Sequence, residues 1–310
     1  MWTYLPPWKT KFSGGASEDI VFSYGNNKFI DLGDGDNFLF SHGNNNRAHS
    51  GNGNDVFWMT GGNQQIISSG GSNLVFTGSG NDGILLGSGD DRVISGSGDD
   101  RVFSGDGDDA ISSLGGDNIV FSGDGDDIVF TGIGNDRING GNGNDKLYSL
   151  DGNNVVNGES GDDLIITGWG DDHLEGGDGN DELIGGGGAN NMSGGHGDDL
   201  LVSGGSNDVL TGGNGGDVFD VSGITGNAVI KDFSFVEGDQ IIFTAWNWQT
   251  PAPWANIEFI GEDVKINSPD GNIEIMVLGL HSQENLENWD DGALSWINCD
   301  EINNDICWAP

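Results

Sequence analysis

Aspartate recurs in this chain at a fixed phase. Counting in nines from Gly14, the sixth residue of alternate blocks is Asp19, Asn37, Asp55, Asn73, Asp91, Asp109, Asp127, Asp145, Asp163, Asp181, Asp199 and Asp217. The intervening blocks carry Lys28, Asn46, Gln64, Asp82, Asp100, Asn118, Asp136, Asn154, Asp172, Asn190 and Asp208 at the same place. Carboxylates are hard oxygen donors; with backbone carbonyls they favour calcium over softer metals. Stacked a strand spacing apart, they repel one another unless a cation lies between them. The candidate metal ligands are therefore Asp19, Asp55, Asp82, Asp91, Asp100, Asp109, Asp127, Asp136, Asp145, Asp163, Asp172, Asp181, Asp199, Asp208 and Asp217.

The other chemistry open to paired acids such as Asp90-Asp91 or Asp162-Asp163 is acid–base catalysis. Their recurrence at one phase favours a metal and turn role. The chain contains neither H-E-x-x-H nor G-x-S-x-G. Its histidines are scattered, with His42 and His196 in expected turns, His49 and His173 on expected strands and His281 in the tail. An enzyme is not expected.

The aspartates belong to an uninterrupted repeat. Twenty-three consecutive nine-residue blocks run from Gly14 to Asp220 without insertion or deletion, so each block must be the same unit stacked on its neighbours. Positions 1 to 6 are mostly Gly, Asp, Asn and Ser, residues suited to turns and to positive φ. Positions 7 to 9 predict a short strand whose middle side chain points opposite to its two neighbours. That middle residue is apolar in every block, from Val21, Ile30 and Leu39 to Leu201, Leu210 and Phe219. Alternation of turn and strand predicts a two-faced parallel coil of 18 residues, with a thin core of one side chain per strand. At about 4.8 Å per stacked strand, 11.5 coils would extend about 55 Å.

The block GGNGNDKLY at 140 shows the pattern G-G-x-G-x-D-x-U-x, where U is apolar. It resembles the calcium-binding repeats of the RTX (repeats-in-toxin) family, over about two-thirds of the chain. The resemblance implies an all-β fold: a right-handed parallel β-roll, a two-sheet solenoid with a non-repetitive, β-rich C-terminal cap. It also implies several bound Ca²⁺ ions, folding coupled to calcium, and release by type I secretion to the cell surface or medium without a cleaved N-terminal signal. MWTYLPPWKTKFS at the start lacks a long apolar run, and no segment approaches the 18 apolar residues of a membrane span. Without metal, a Gly- and Asp-rich chain with a thin core should be largely unfolded, so binding energy becomes folding energy.

Three segments follow: residues 1–13 as an N-terminal cap, 14–220 as the roll and 221–310 as a capping and secretion-type segment. Eight of the ten Trp lie outside the repeats: Trp2, Trp8, Trp246, Trp248, Trp254, Trp289, Trp296 and Trp308. They either cover the open ends of the coil or, as in WNWQTPAPW, form an aromatic contact surface. AVIKDFSFVEGDQIIF reads as strands around a turn, and DVKINSPDGNIEIMVLGL as a hairpin about Pro269-Asp270-Gly271. HSQENLENWDDGALSW reads as a short helix. Cys299 and Cys307 are either a disulfide or two free thiols.

Within the roll, the position-6 residues sort the two edges. Asp91 to Asp217 form eight acids in a row, enough for seven inter-turn sites on one edge. The other edge alternates Asp with Asn and opens with Lys28, which repels an ion, so its first turns should be held by packing and amide contacts.

Positions 7 and 9 point away from the core. On the sheet after the Asp-rich turns they include Phe22, Phe38, Phe40, Trp58, Phe76, Ile94, Phe130, Tyr148, Ile166, Ile184 and Val202. The opposite sheet is mixed, with Arg47, Gln65, Arg101, Arg137 and His173 at position 7 and Asp31, His49, Asn139 and Glu175 at position 9. Such asymmetry marks an interface, unless it reflects strand propensity or a terminal segment covers it. A formal charge of -40 disfavours nucleic acid. The expected function is a secreted, calcium-dependent structural protein that self-associates into a surface layer, matrix or filament. The alternatives are a binding module (adhesin, polysaccharide- or ice-binding) and an export and folding module of a larger secreted protein. Ice binding is the weaker of these, since position 3 in Asp34, Asn52, Gly70, Ser88, Asp106, Asp124 and Asn142 carries no threonine row.

Overall fold

A computed structural model of the chain describes residues 2–242, 256–260, 263–267, 274–278 and 297–298. All regular elements among them are strands. They fall into two compact units, Met1–Glu159 and Ser160–Pro310, each built of two parallel sheets whose strands alternate along the chain.

In the first unit, one sheet receives the strands that follow the Asp-rich turns, among them Ile20–Tyr24, Phe38–His42, Val56–Thr60, Ala110–Gly115 and Ile128–Ile133. The opposite sheet receives Phe29–Gly33, Arg47–Asn52, Gln65–Gly70, Arg101–Asp106 and Ile119–Asp124 with their neighbours. Neighbouring strands pair in a register of 18 residues, as in Phe22↔Phe40 and Val102↔Val120. The second unit repeats the plan, with Leu183↔Leu201 in one sheet and Met192↔Leu210 in the other.

The position-8 series is the core. All 23 members are buried, 3% exposed at most. The strands run further than positions 7 to 9, however. Ile128–Ile133 and Arg101–Asp106 continue through position 3 of the next block. Alternation therefore turns position 1 inward as well, and Ser23, Ser41, Ser95, Ser104, Ser113, Ser122 and Thr131 are completely buried there. Strands followed by serine or threonine at position 1 contribute two inward side chains, and the core there is deeper than the sequence suggested.

Both ends of the coil carry added strands. The N-terminal segment supplies two strands in register with the first coil, Trp2–Leu5 beside Ile20–Tyr24 and Lys11–Gly15 beside Phe29–Gly33. In the second unit, Ala228–Ile230 and Gln240–Ile242 do not pair with each other as a turn-linked pair would. Each adds in parallel to a different sheet, beside Asp208–Asn214 and Val218–Asp220 respectively. Residues 221–242 thus make one more, longer coil. Asp263–Asn267 and Glu274–Val277 pair antiparallel, as a hairpin requires. The turn at 269–271, the expected helix at 281–296, WNWQTPAPW, Trp289, Trp296, Trp308, Cys299 and Cys307 lie outside the described residues.

Close stacking demands glycine at position 4 of most turns, although Ser17, Asn26, Asn44 and Ser206 stand there in four. Gly125 has φ 131°, and a Cβ there would lie 2.3 Å from the Gly107 carbonyl oxygen of the preceding coil. Gly115 has an ordinary φ, and its nearest neighbour would be the Ile133 side chain at 3.9 Å. Gly125→Ala is therefore expected to destabilise the calcium-loaded protein by at least about 1–3 kcal/mol, and Gly115→Ala to be near neutral. Thermal unfolding of the two variants checks this; equal melting temperatures would contradict the stacking account.

Candidate metal-binding turns

The side chain at position 6 points into the coil. All fifteen aspartates named from the sequence are buried, 4% exposed at most. Each turn is locked to the previous one through this residue: the Asp109 Oδ1 accepts the backbone N–H of Asp91 at 2.7 Å, and the Asp199 Oδ1 that of Asp181 at 2.8 Å. Asparagine serves equally here, since the Asn37 and Asn118 Oδ1 atoms accept from Asp19 and Asp100. A second, exposed ladder runs the other way. The Asp108 and Asp126 Oδ1 atoms accept the N–H of Asp126 and Asn144 in the following coil.

What separates Asp from Asn is the second side-chain atom. The Nδ2 groups of Asn37, Asn73, Asn118 and Asn154 donate to the carbonyls of Gly35, Gly71, Gly116 and Gly152, two residues back. Oxygen cannot do this. The Oδ2 atoms of Asp55, Asp82, Asp91, Asp109, Asp127, Asp136, Asp181, Asp199 and Asp217 are buried without a hydrogen-bond partner. One such atom would be an exception in a folded protein; nine at one repeat position describe a site built for something positive.

Burial accordingly holds these carboxyls toward their neutral form. It pushes Asp91, Asp127 and Asp199 from 3.8 up to about 7, with neighbouring carboxylates pushing the same way. Asp82, Asp109 and Asp181 are pushed up to about 6 by the same cause. The Ser104 hydroxyl beside Asp109 offsets this in part, but its proton goes to the Ser122 carbonyl at 2.9 Å.

Lys28 solves the same problem with its own charge. The sequence marked it as a residue that repels a cation; the structure shows it taking a cation's place. Its buried Nζ donates to the carbonyls of Pro6 and Pro7 at 2.9 Å and of Lys9 at 2.6 Å. The preceding residue, Asn27, is left-handed at φ 56°, as are Asn45 and Asn63 before Asn46 and Gln64. These three turns, which lack an acid at position 6, thus share a backbone form, which recurs at Asn207 before Asp208 with φ 65°. The Gln64 amide donates to the Gly43 and Gly62 carbonyls, consistent with the amide contacts expected near this end.

Sequence reasoning missed Asp239. Its Oδ1 accepts the Asp217 N–H at 2.9 Å, extending the ladder by 22 residues rather than 18. Burial raises its carboxyl to about 6. The signal was present in Asp239-Gln240-Ile241-Ile242, a D-x-U-x match displaced from the period. Asp232 braces the same turn by accepting the N–H groups of Gly212 and Gly213.

No three carboxylate, imidazole or thiolate side chains converge on one point among the described residues, so an ion must also draw on backbone carbonyls. The turns provide them. At Gly194, the place a Cβ would occupy lies 2.1 Å from the Asp199 Oδ2 and 2.7 Å from the Gly212 carbonyl oxygen. A carboxylate and a carbonyl oxygen facing one small space suit calcium, so the residues present fit that ion.

The outward residues form the second candidate site. Phe22, Phe38, Phe40, Phe76, Phe130, Tyr148, Ile166, Ile184 and Val202 are half-buried by their neighbours, while Trp58 and Ile94 are exposed. The rings of Trp2 and Phe22 lie 5.7 Å apart, and those of Trp58 and Phe76 5.5 Å. The opposite sheet of the first unit is mixed, as the sequence reading held, and it includes large apolar side chains. Ile67, Leu85 and Phe103 are exposed in consecutive coils, and Phe103 stacks on Phe121 at 5.1 Å.

Two-sheet coils with a recurring inward acid at the turns define a calcium-binding β-solenoid. A family model for the RTX calcium-binding nonapeptide repeat, in four copies, matches residues 24–57, 58–93, 85–120, 94–129, 112–147, 121–156, 148–183 and 184–219. The chain belongs to this family, and calcium is its ion. Comparison with curated proteins gives no match. RTX repeats typically belong to secreted proteins, and no helix of the described residues is long and apolar enough to cross a membrane.

Two outcomes follow. Lys28→Met removes the donor to three carbonyls and is expected to loosen the first coil by at least about 2 kcal/mol. Hydrogen exchange should show protection lost at Trp2–Leu5 and Lys11–Gly15 but kept at Ile128–Ile133; unchanged protection at both ends would refute the role. For pH, the folded carboxyl pKa values lie above the unfolded 3.8. Their contribution to stability is present below about pH 4 and lost as pH rises to about 7. In chelator, the chain should hold more β-structure at pH 4.5 than at pH 8 by circular dichroism. Calcium binding should release protons between about pH 5 and 7, visible as a buffer-dependent heat.

Proposed function

We propose that this protein is a secreted, calcium-folded scaffold that associates with further copies of itself through the apolar sheet face. The observation that supports this reading is the outward row of the first unit, where Trp2, Phe22, Phe40, Trp58 and Phe76 line successive strands of one sheet. Outward positions on a strand facing only water have no reason to carry large rings in five successive strands. Tilted aromatic pairs of about 5–6 Å join Trp2 to Phe22 and Trp58 to Phe76 across neighbouring strands. Calcium-dependent folding would then make assembly itself calcium-dependent, which suits release from a calcium-poor cytosol.

A non-catalytic role accompanies the proposal, because the buried acids share one phase of the repeat and serve the turns. An adhesive or polysaccharide-binding module is the second reading. The exposed rings of Trp2 and Tyr4 on the first strand and of Trp8 after it favour it, since aromatic faces also stack on sugars.

Light scattering and electron microscopy at millimolar calcium and in chelator decide between them. Ordered filaments or sheets forming only with calcium are expected. Phe40→Ser with Trp58→Ser should abolish assembly while leaving calcium-induced β-structure unchanged. A monomer at every concentration with calcium present would end the self-assembly reading and favour the ligand-binding one.

A further inference from the structure

We propose that the second sheet of the first unit, opposite the aromatic row, binds an anionic polysaccharide: a linear chain of sugar acids laid across its stacked strands. The proposal goes beyond the self-assembly reading and uses a different face, so each can fail without the other.

The outward residues of this sheet lie in two straight rows. Pairing in register carries one row over eight strands, from Lys11 through Arg47 and Arg101 to Arg137. All four cations are exposed. The chain has 50 acidic residues and 10 basic ones, yet Asp31 is the one acid in the two rows. These cations do not serve to neutralise the protein's own carboxylates. Arg47 directs its Nε and Nη2 to the neutral Gln65 Oε1, the first at 2.7 Å. Among the described residues, neither Arg101 nor Arg137 has an ion-pair partner, and Asp106 and Asp124 stand at the far ends of their strands.

The second row sets an apolar shoulder beside the cations. Ile67, Leu85, Phe103 and Phe121 follow one another on consecutive strands, and the Phe103 and Phe121 rings stack at 5.1 Å. Between Gln65 and Arg101 the cationic row is left bare by Gly83, where a Cβ would meet nothing within 4 Å. At its first strand the row borders a recess lined by Lys9, Lys11, Phe12 and Phe29. A partner for this face must be anionic, extended and partly apolar. Lys11 and Arg47, like Arg101 and Arg137, stand two strands apart, about 10 Å. An extended acidic peptide repeats its same-face carboxylates about every 7 Å and fits that interval poorly. Sugar rings with a carboxylate on alternate rings repeat on the longer scale, and their C–H faces suit the apolar shoulder. Arginine is the cation that grips a carboxylate with two parallel hydrogen bonds.

The test is calorimetric titration of the full chain in millimolar calcium with a hyaluronate decasaccharide, a neutral maltodextrin and poly-glutamate. Hyaluronate alone is expected to bind, and added salt to weaken it. Arg101→Gln with Arg137→Gln should weaken binding at least about tenfold, and Phe103→Ser should weaken it as well. Arg92→Gln, on the other sheet, should leave it unchanged. These residues are all exposed, so the variants should keep calcium-induced β-structure. If the double variant does not fold, Arg47→Gln, on a separate strand, gives the same test. Absence of hyaluronate binding would overturn the proposal. So would binding that the arginine variants leave unchanged, which would mean that calcium bridges the sugar acids to the acidic turns. Equal binding of poly-glutamate or maltodextrin would also overturn it, the first pointing to an acidic protein partner. Phe40→Ser with Trp58→Ser, the variant that tests self-assembly, should leave the titration unaltered.

Discussion

Every turn of this protein must find a positive partner for oxygens it points inward. A nonapeptide coil stacks with its position-6 side chain buried, and the turn carbonyls crowd around it. Water is excluded, so the oxygens need a donor or a cation from the protein or from solution. Asn37, Asn73 and Asn118 meet the need with an amide N–H, and Lys28 meets it with an ammonium on three carbonyls. Nine aspartate turns do not meet it from within, and the Oδ2 atoms of Asp55, Asp82, Asp91, Asp109, Asp127, Asp136, Asp181, Asp199 and Asp217 remain without a donor. The rest of the architecture depends on how that demand is shared along the chain.

The demand also explains why so polar a sequence folds. Position 8 supplies a complete apolar column, but it is a column one residue wide on each sheet. Position 1 broadens it with buried serine and threonine, which add hydrogen bonds between coils rather than much apolar area. Against this stand a formal charge of -40 and carboxyls that burial drives toward neutrality. Calcium supplies at one stroke the charge and the ligand bonds that the turns lack, so its binding free energy is folding free energy. The first coil, held by Lys28 and its three carbonyls, obtains the same closure without metal.

The outward surface answers to a different constraint. Once the inward positions are committed to core and ladder, positions 7 and 9 are the sheet positions that remain to carry recognition. They are free to vary without disturbing the coil, which is why arginine, glutamine and aspartate can share the second sheet with Ile67, Leu85 and Phe103. Aromatic residues at those positions on the first sheet are therefore informative, because stacking does not require them.

Much of this was legible in the residues. An unbroken period of nine, with an apolar residue always at position 8, forces parallel coils of 18, and the phase of Asp91 to Asp217 places an acid at every turn of one edge. Such features depend only on spacing and alternation, which a linear pattern expresses fully. The depth of the strands did not, because Ser104 or Ser122 reads as a turn residue until the sheet carries its alternation one position further. Lys28 read as a cation-repelling residue because its partners, Pro6, Pro7 and Lys9, are about twenty residues away and irregular. Asp239 lay outside the period by four residues and joined the ladder only through the pairing of Gln240–Ile242. Residue type and period thus settle the coil and its ion. Which oxygens remain without a partner depends on atoms from neighbouring coils meeting in space, and only the folded chain decides that.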